Sequence, residues 1–170
     1  MFFPALQCRS QTAILKKTAK IFSLALLASI PVLAQIKKQN KMEKRVINPW
    51  QWQDQRSYVQ AVEVKNVNGI LYCSGQAAVD ADGKSSTADM KTQLVQALQN
   101  LEKVISEAGY ECKNIVRLNL LTTSSAELFT CFNIFQDWIA RHGIKQATTL
   151  IEVKSLFETL KIEFEATVVR

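Results

Sequence analysis

Residues 146–170 read QATTLIEVKSLFETLKIEFEATVVR, and this closing stretch decides how the rest of the chain is read. In a strand successive side chains alternate sides. Lys161 to Val169 then sets Ile162, Phe164, Ala166 and Val168 on one apolar face and Glu163, Glu165 and Thr167 on the other. One face asks for a packed layer, while the other carries two carboxylates. Thr149 to Val153 supplies a second strand just before it.

Working back from there, Leu128, Phe132, Phe135 and Ile139 recur at helical spacing behind a capping box at Ser124–Glu127, and Gly143 stops the run. Ile115 to Leu121 (IVRLNLL) reads as a strand. Leu94, Leu98, Leu101, Ile105 and Ala108 mark a longer helix over 89–108, with Ser86 or Thr87 as cap and Gly109 as stop. Asp80 to Lys84 is a loop. Tyr58 to Lys65 and Ile70 to Ser74 read as two strands joined by a turn around Asn66–Gly69, a hairpin signal. The resulting order is β-β-α-β-α-β-β, an α+β domain over 49–170 with both helices on one face of one sheet. The opposite face is then either bare or covered by association.

The 170 residues suit one domain, and a hydrophobic fraction of 48% suits a packed core. The net charge of +6 invites a nucleic-acid reading, but seven of the 21 positive residues precede Met42, leaving 14 against 15 negatives beyond it. A near-neutral body argues against nucleic-acid partners. Residues 16–34 run from a basic start through an apolar stretch, Ile21 to Ala34, to small residues before Gln35. This is the layout of a secretory signal peptide, and its apolar run falls short of the roughly twenty residues that span a bilayer. Export with cleavage after Ala34 is expected, with no lasting membrane anchor. A cytoplasmic protein starting at Met42 is the alternative. Residues 35–48 read as a polar linker.

Cys73, Cys112 and Cys131 are odd in number and lack metal-ligand spacing, which fits buried small hydrophobes better than a disulfide framework or zinc site. His142, the only histidine, sits beside Gly143 at a helix end, where capping explains it.

The last quarter also resembles the RidA (YjgF) family of small trimeric enzymes that hydrolyse reactive enamines and imines to keto acids and ammonia. The family run P-A-R-S-x-V-E-V, followed by K-I-E-I-E-A-x-A-V, is matched by Gln146 to Val153 and by Lys161 to Val169. The resemblance extends from about Met42 to the end. It implies a homotrimer with intersubunit ligand clefts, a small-molecule ligand and no cofactor. Tyr58 falls on the family tyrosine that packs on the substrate, Ser74, Gly75 and Gln76 on its S-G-Q turn, Asn133 on the asparagine of its second helix, and Glu165 on the water-orienting glutamate. By residue type alone these are a strand aromatic, a turn, a helix-surface amide and a solvated strand face.

One departure matters. Thr148 stands where the family has its substrate-anchoring arginine, and Phe157 stands where a proline would follow Leu156. An arginine grips a carboxylate through two charge-assisted hydrogen bonds, each worth about 1.5–3 kcal/mol, whereas threonine offers one neutral hydroxyl. Hydrolysis of 2-iminobutanoate is therefore expected to be weak or absent, with a substrate lacking the usual anchoring carboxylate. Arg117 and Arg141 are candidate replacements that the sequence does not place. Trp50 and Trp52 form either an N-terminal cover or the wall of a more apolar pocket. The resemblance implies a hydrolase in which Glu165 positions water. The alternatives are a non-catalytic ligand-binding or protein-protecting trimer, and an interaction protein using the tryptophan surface.

Overall fold

The structure, a computed structural model, describes residues 41–170. The signal-peptide reading and the first six residues of the linker, 35–40, lie outside these residues. Strand β1 (Glu43–Ile47) is followed by a single 3-10 turn at Asp54–Arg56, then β2 (Ala61–Lys65) and β3 (Ile70–Ala77). Helix α1 (Met90–Glu107) leads through a second 3-10 turn to β4 (Ile115–Thr122). Helices α2 (Ser125–Thr130) and α3 (Phe132–His142) precede β5 (Ala147–Glu152) and β6 (Ile162–Val169).

The main sheet has the order β3-β6-β4-β5, with β6 antiparallel to both neighbours and β5 parallel to β4. A parallel neighbour needs a crossover, which α2 and α3 provide. Their apolar sides pack against the sheet with α1. Leu94, Leu101, Ile105, Leu118, Leu120, Phe135, Ile162 and Phe164 are fully or almost fully buried there, and the Phe135 ring stacks on Phe164 at 6.0 Å. The alternation expected for the last strand holds: Ile162, Phe164, Ala166 and Val168 are in the core, and Glu165 is exposed.

Four expectations are corrected. Residues 35–48 are not linker throughout, because β1 pairs with β2 from Glu43↔Lys65 to Ile47↔Ala61. Its pattern, EKRVI, is mostly exposed and gave no burial period to read. The anticipated hairpin is not a ladder: β2 pairs with β1 in a separate two-stranded ribbon, and β3 pairs with β6. The first long helix is capped by neither Ser86 nor Thr87. Asp89 accepts the Thr92 N–H at 2.9 Å, while Ser86 Oγ is engaged by the Ala88 N–H.

The second helix is divided. Cys131 leaves helical geometry (φ −127°, ψ 16°), and the Thr130 hydroxyl donates to the Glu127 carbonyl at 2.7 Å, a local bond of the kind that competes with the helical ladder. Ser124 and Gly143 behave as read: Ser124 Oγ accepts from Glu127 N, and Gly143 closes α3 at φ 62°.

One buried polar residue organises the junction of α1 with the sheet. Gln93 is wholly enclosed, donates to the carbonyls of Ser86, Ala88 and Thr159, and accepts the Lys161 N–H at 2.9 Å. Its amide is therefore fully engaged, as a buried amide must be to avoid a desolvation cost.

Candidate functional site

The two faces of β4, β5 and β6 carry different chemistry. On the helix-covered side lies a cleft of about 560 Å³, between β5 and the two helices that precede it. Thr148 and Leu150 project into it from β5, Leu120 from β4, and Phe129, Phe132 and Phe135 from α2 and α3. Phe129, one residue past the buried Leu128, lies off the buried stripe; its ring stays exposed and meets Phe132 edge-on at 5.6 Å. Phe132 and Phe135 follow at 5.2 Å, giving a file of rings from surface to core.

The fourth side of the cleft is the segment before β2. Val59 forms a parallel bridge to Ala147, with its N–H donating to the Gln146 carbonyl at 3.0 Å. Buried Gln146 donates from Nε2 to the Ser57 carbonyl at 2.9 Å and to Thr148 Oγ1 at 3.0 Å. Tyr58 is thereby fixed beside Thr148. Gln136 Nε2 donates to the Gln55 carbonyl, tying the 3-10 turn to α3. Trp52 approaches Tyr58 edge-on at 6.4 Å, so this tryptophan backs the cleft wall. Arg56 also lines the cleft, its guanidinium 5.2 Å from the centre of the Trp52 ring.

On the uncovered face, the register aligns Thr149, Asn119 and Glu165 across three strands. Asn119 Nδ2 donates to Glu165 Oε2 at 3.1 Å, and Arg117 donates to Asn119 Oδ1 at 3.0 Å and to Thr149 Oγ1 at 3.1 Å. This row holds the Glu165 carboxylate in place. Gly75 lies on the same face against Glu163: a Cβ there would fall 1.8 Å from Glu163 Oε1. Only glycine fits without moving that carboxylate. Tyr72, on the neighbouring strand, is 75% exposed.

Within one chain the expected residues thus divide. Tyr58 and Thr148 share the aromatic cleft, whereas Glu165 and Gly75 lie across the sheet from it, and Asn133 is exposed on α3 outside the cleft lining. Neither replacement arginine reaches Thr148. Arg117 belongs to the uncovered face, and Arg141 pairs with Glu102 at 3.3 Å. Sequence reasoning missed Arg56, Phe129 and Gln136. Phe129 could have been noticed as an aromatic just off the apolar stripe, but Arg56 lies in a turn with no period to expose it.

Cysteine chemistry has little support. Burial raises the pKa of Cys73 and Cys131, and burial together with the nearby Glu102 charge pushes Cys112 up to about 11. All three then stay protonated near neutrality and are poor nucleophiles. Among the described residues no group of three His, Cys, Asp or Glu side chains could hold a metal, and no helix is long and apolar enough to cross a membrane.

Comparison with known proteins bears on these residues. The family model described as Endoribonuclease L-PSP matches residues 52–170. A RutC family protein of Aquifex aeolicus is 29% identical over 66% of this chain and 88% of the relative. The 2-iminobutanoate/2-iminopropanoate deaminase of Escherichia coli is 28% identical over 66% of this chain and 87% of the relative. Among solved structures, a protein of unknown function of the conserved Rid family, YyfB from Yersinia pestis, superposes with a TM-score of 0.66. It is 30% identical, covering 75% of this chain and 98% of that one.

Proposed function

The chain belongs to the Endoribonuclease L-PSP family, which includes the RidA proteins, and on that premise we propose that it hydrolyses a reactive enamine or imine in a cleft completed by a second copy of itself. The observation that carries this reading is the division of the site: Tyr58 and Thr148 occupy one face of the sheet and Glu165 the other. A single chain cannot bring those groups to one substrate, but neighbouring copies in a homotrimer can. The exposed Ile70, Tyr72 and Ile151 side chains of the main sheet support such association.

In the reaction, water adds to the C=N carbon as Glu165 accepts one of its protons, giving a carbinolamine. The nitrogen gains a proton, the C–N bond breaks, and a carbonyl compound and ammonia leave. Asn119, donating to Glu165 Oε2, keeps the carboxylate oriented towards the water. Thr148 supplies a hydroxyl where the family arginine would supply a cation, so small imino acids that rely on position 148 are held poorly. The near balance of 14 positive and 15 negative residues beyond Met42 supports a small-molecule substrate over RNA. The basic-then-apolar leader supports export, and an amino terminus at Gln35 in the mature protein is the outcome that tests it.

Replacing Glu165 by Gln should lower kcat for imine hydrolysis about 10²- to 10⁴-fold while the light-scattering mass stays that of a trimer. A monomeric mass for the wild type would remove the shared cleft. Unchanged turnover in the variant would favour a non-catalytic, ligand-binding trimer.

A further inference from the structure

Arg56 combines three properties that its neighbours lack. It lines the same cleft as Thr148 and Tyr58. Its guanidinium lies over the Trp52 ring, with Trp52 itself braced against Trp50 and Tyr58 at 6.4 Å each. Among the described residues it makes no ion pair and no side-chain hydrogen bond, whereas Arg45, Arg117 and Arg141 are all engaged by side-chain partners. A planar cation held over an aromatic ring, with its donors unspent, is suited to grip a carboxylate bidentately.

The rest of the cleft says what the carboxylate is attached to. Phe129, Phe132 and Phe135 form a continuous aromatic wall, and about 560 Å³ is ample for a small molecule with one ring. Thr148 accepts from Gln146 Nε2, which leaves its own hydrogen free to donate to a ligand oxygen or nitrogen. Cation, hydroxyl and ring wall meet in one hollow.

We infer that Arg56 takes over, from the opposite wall of the cleft, the carboxylate anchoring that position 148 no longer provides, and that the ligand is a 2-imino acid, with its 2-oxo product, bearing an aromatic or large apolar side chain. The imine part rests on the hydrolase reading above; the carboxylate-and-ring part does not. Small aliphatic acids leave the Phe129–Phe132 wall unfilled and bind less well. This removes the need for a substrate without a carboxylate.

The test uses the purified full chain and three probes in titration calorimetry: 3-phenyl-2-oxopropanoate, its methyl ester, and 2-oxobutanoate. The phenyl acid should bind at least about tenfold more tightly than either of the others. Arg56→Gln should weaken the phenyl acid about 10- to 100-fold and leave the ester unchanged, with Arg56→Lys intermediate. Equal binding of acid and ester, or an Arg56→Gln variant indistinguishable from wild type, overturns the inference; matching circular dichroism melts for the variants exclude misfolding. Hydrolysis of the imine of phenylalanine, generated in solution, separates the two readings. Arg56-dependent binding without turnover would sink the hydrolase reading and leave this one standing. Turnover with an unchanged KM in Arg56→Gln would do the reverse.

Discussion

The two faces of β4 and β6 are made by the same strands, yet they differ in what holds their side chains. On the covered face Leu118, Leu120, Phe164 and Ala166 lose solvent to helices of the same chain. On the uncovered face Arg117, Asn119 and Glu165 are held by one another, and Tyr72 by little beyond its strand. The first face is finished by its own sequence. The second is ordered as a row of hydrogen bonds and still offers its surface. Stability therefore belongs mainly to one side of the sheet and the proposed water-handling chemistry to the other.

The largest expected effect tests the first half of that contrast. Phe135→Ala removes a ring stacked on Phe164 and Trp138 and should lower unfolding free energy by about 3–5 kcal/mol in a denaturant titration. A loss below about 1 kcal/mol would mean that the covered face is not the stabilising side. Next, Asn119→Ala removes the donor to Glu165 and the acceptor for Arg117 on an exposed surface. It should cost at most about 1 kcal/mol in stability while reducing imine turnover roughly tenfold. If instead stability fell as far as with Phe135→Ala, the division of labour between the faces would be broken.

The smallest effect concerns the outer side of the helices. Burial pushes the Glu102 carboxyl up, but hydrogen bonds from His142 and Trp138, with the charges of His142 and Arg141, outweigh it and hold the pKa below its ordinary value. Glu102 on α1 meets Trp138 Nε1 at 2.6 Å and His142 Nε2 at 2.5 Å on α3, so the pair of helices is joined there. A depressed folded-state pKa gives stability that is present above the unfolded carboxyl value and lost as pH falls through the folded one. Melting temperatures of the wild type and Glu102→Gln should differ near neutrality and converge in acid. Parallel curves down to the most acidic reversible melt would rule out this contribution.

The parts of the fold that a sequence displays are those with a period. Ile162 to Val168 alternates cleanly because one side is packed and the other is not, and Leu94 to Ile105 repeats because one stripe of α1 meets the sheet. The β1–β2 ribbon has no such face. Arg45 bonds Glu63 across it, and a strand stabilised by cross-strand pairing of exposed residues looks like a charged linker. The kink at Cys131 was hidden for a related reason, since the apolar spacing from Leu128 to Ile139 runs through it while the backbone does not.

For the site, residue types were legible from the family pattern and the two sides of each strand from alternation, but which side chains of neighbouring strands meet was not. Alternation puts the adjacent Thr148 and Thr149 on opposite sides, but only the register shows that Thr149 faces Glu165 through Asn119. Arg56 escaped notice because a turn residue acquires its meaning only from what the turn is laid against.

Gln93 has a consequence of this kind at a distance. By accepting the Lys161 N–H, 68 positions along the chain, it clamps the residue immediately before β6 begins. A strand's phase is set where it starts, and a slip of one residue would exchange its two sides. Glu165 would then turn inward among the helices and Phe164 would face the solvent. A carboxamide buried under the first turn of a helix thus serves as the index mark from which the chain counts to Glu165, giving the proposed hydrolytic carboxylate its direction without approaching it.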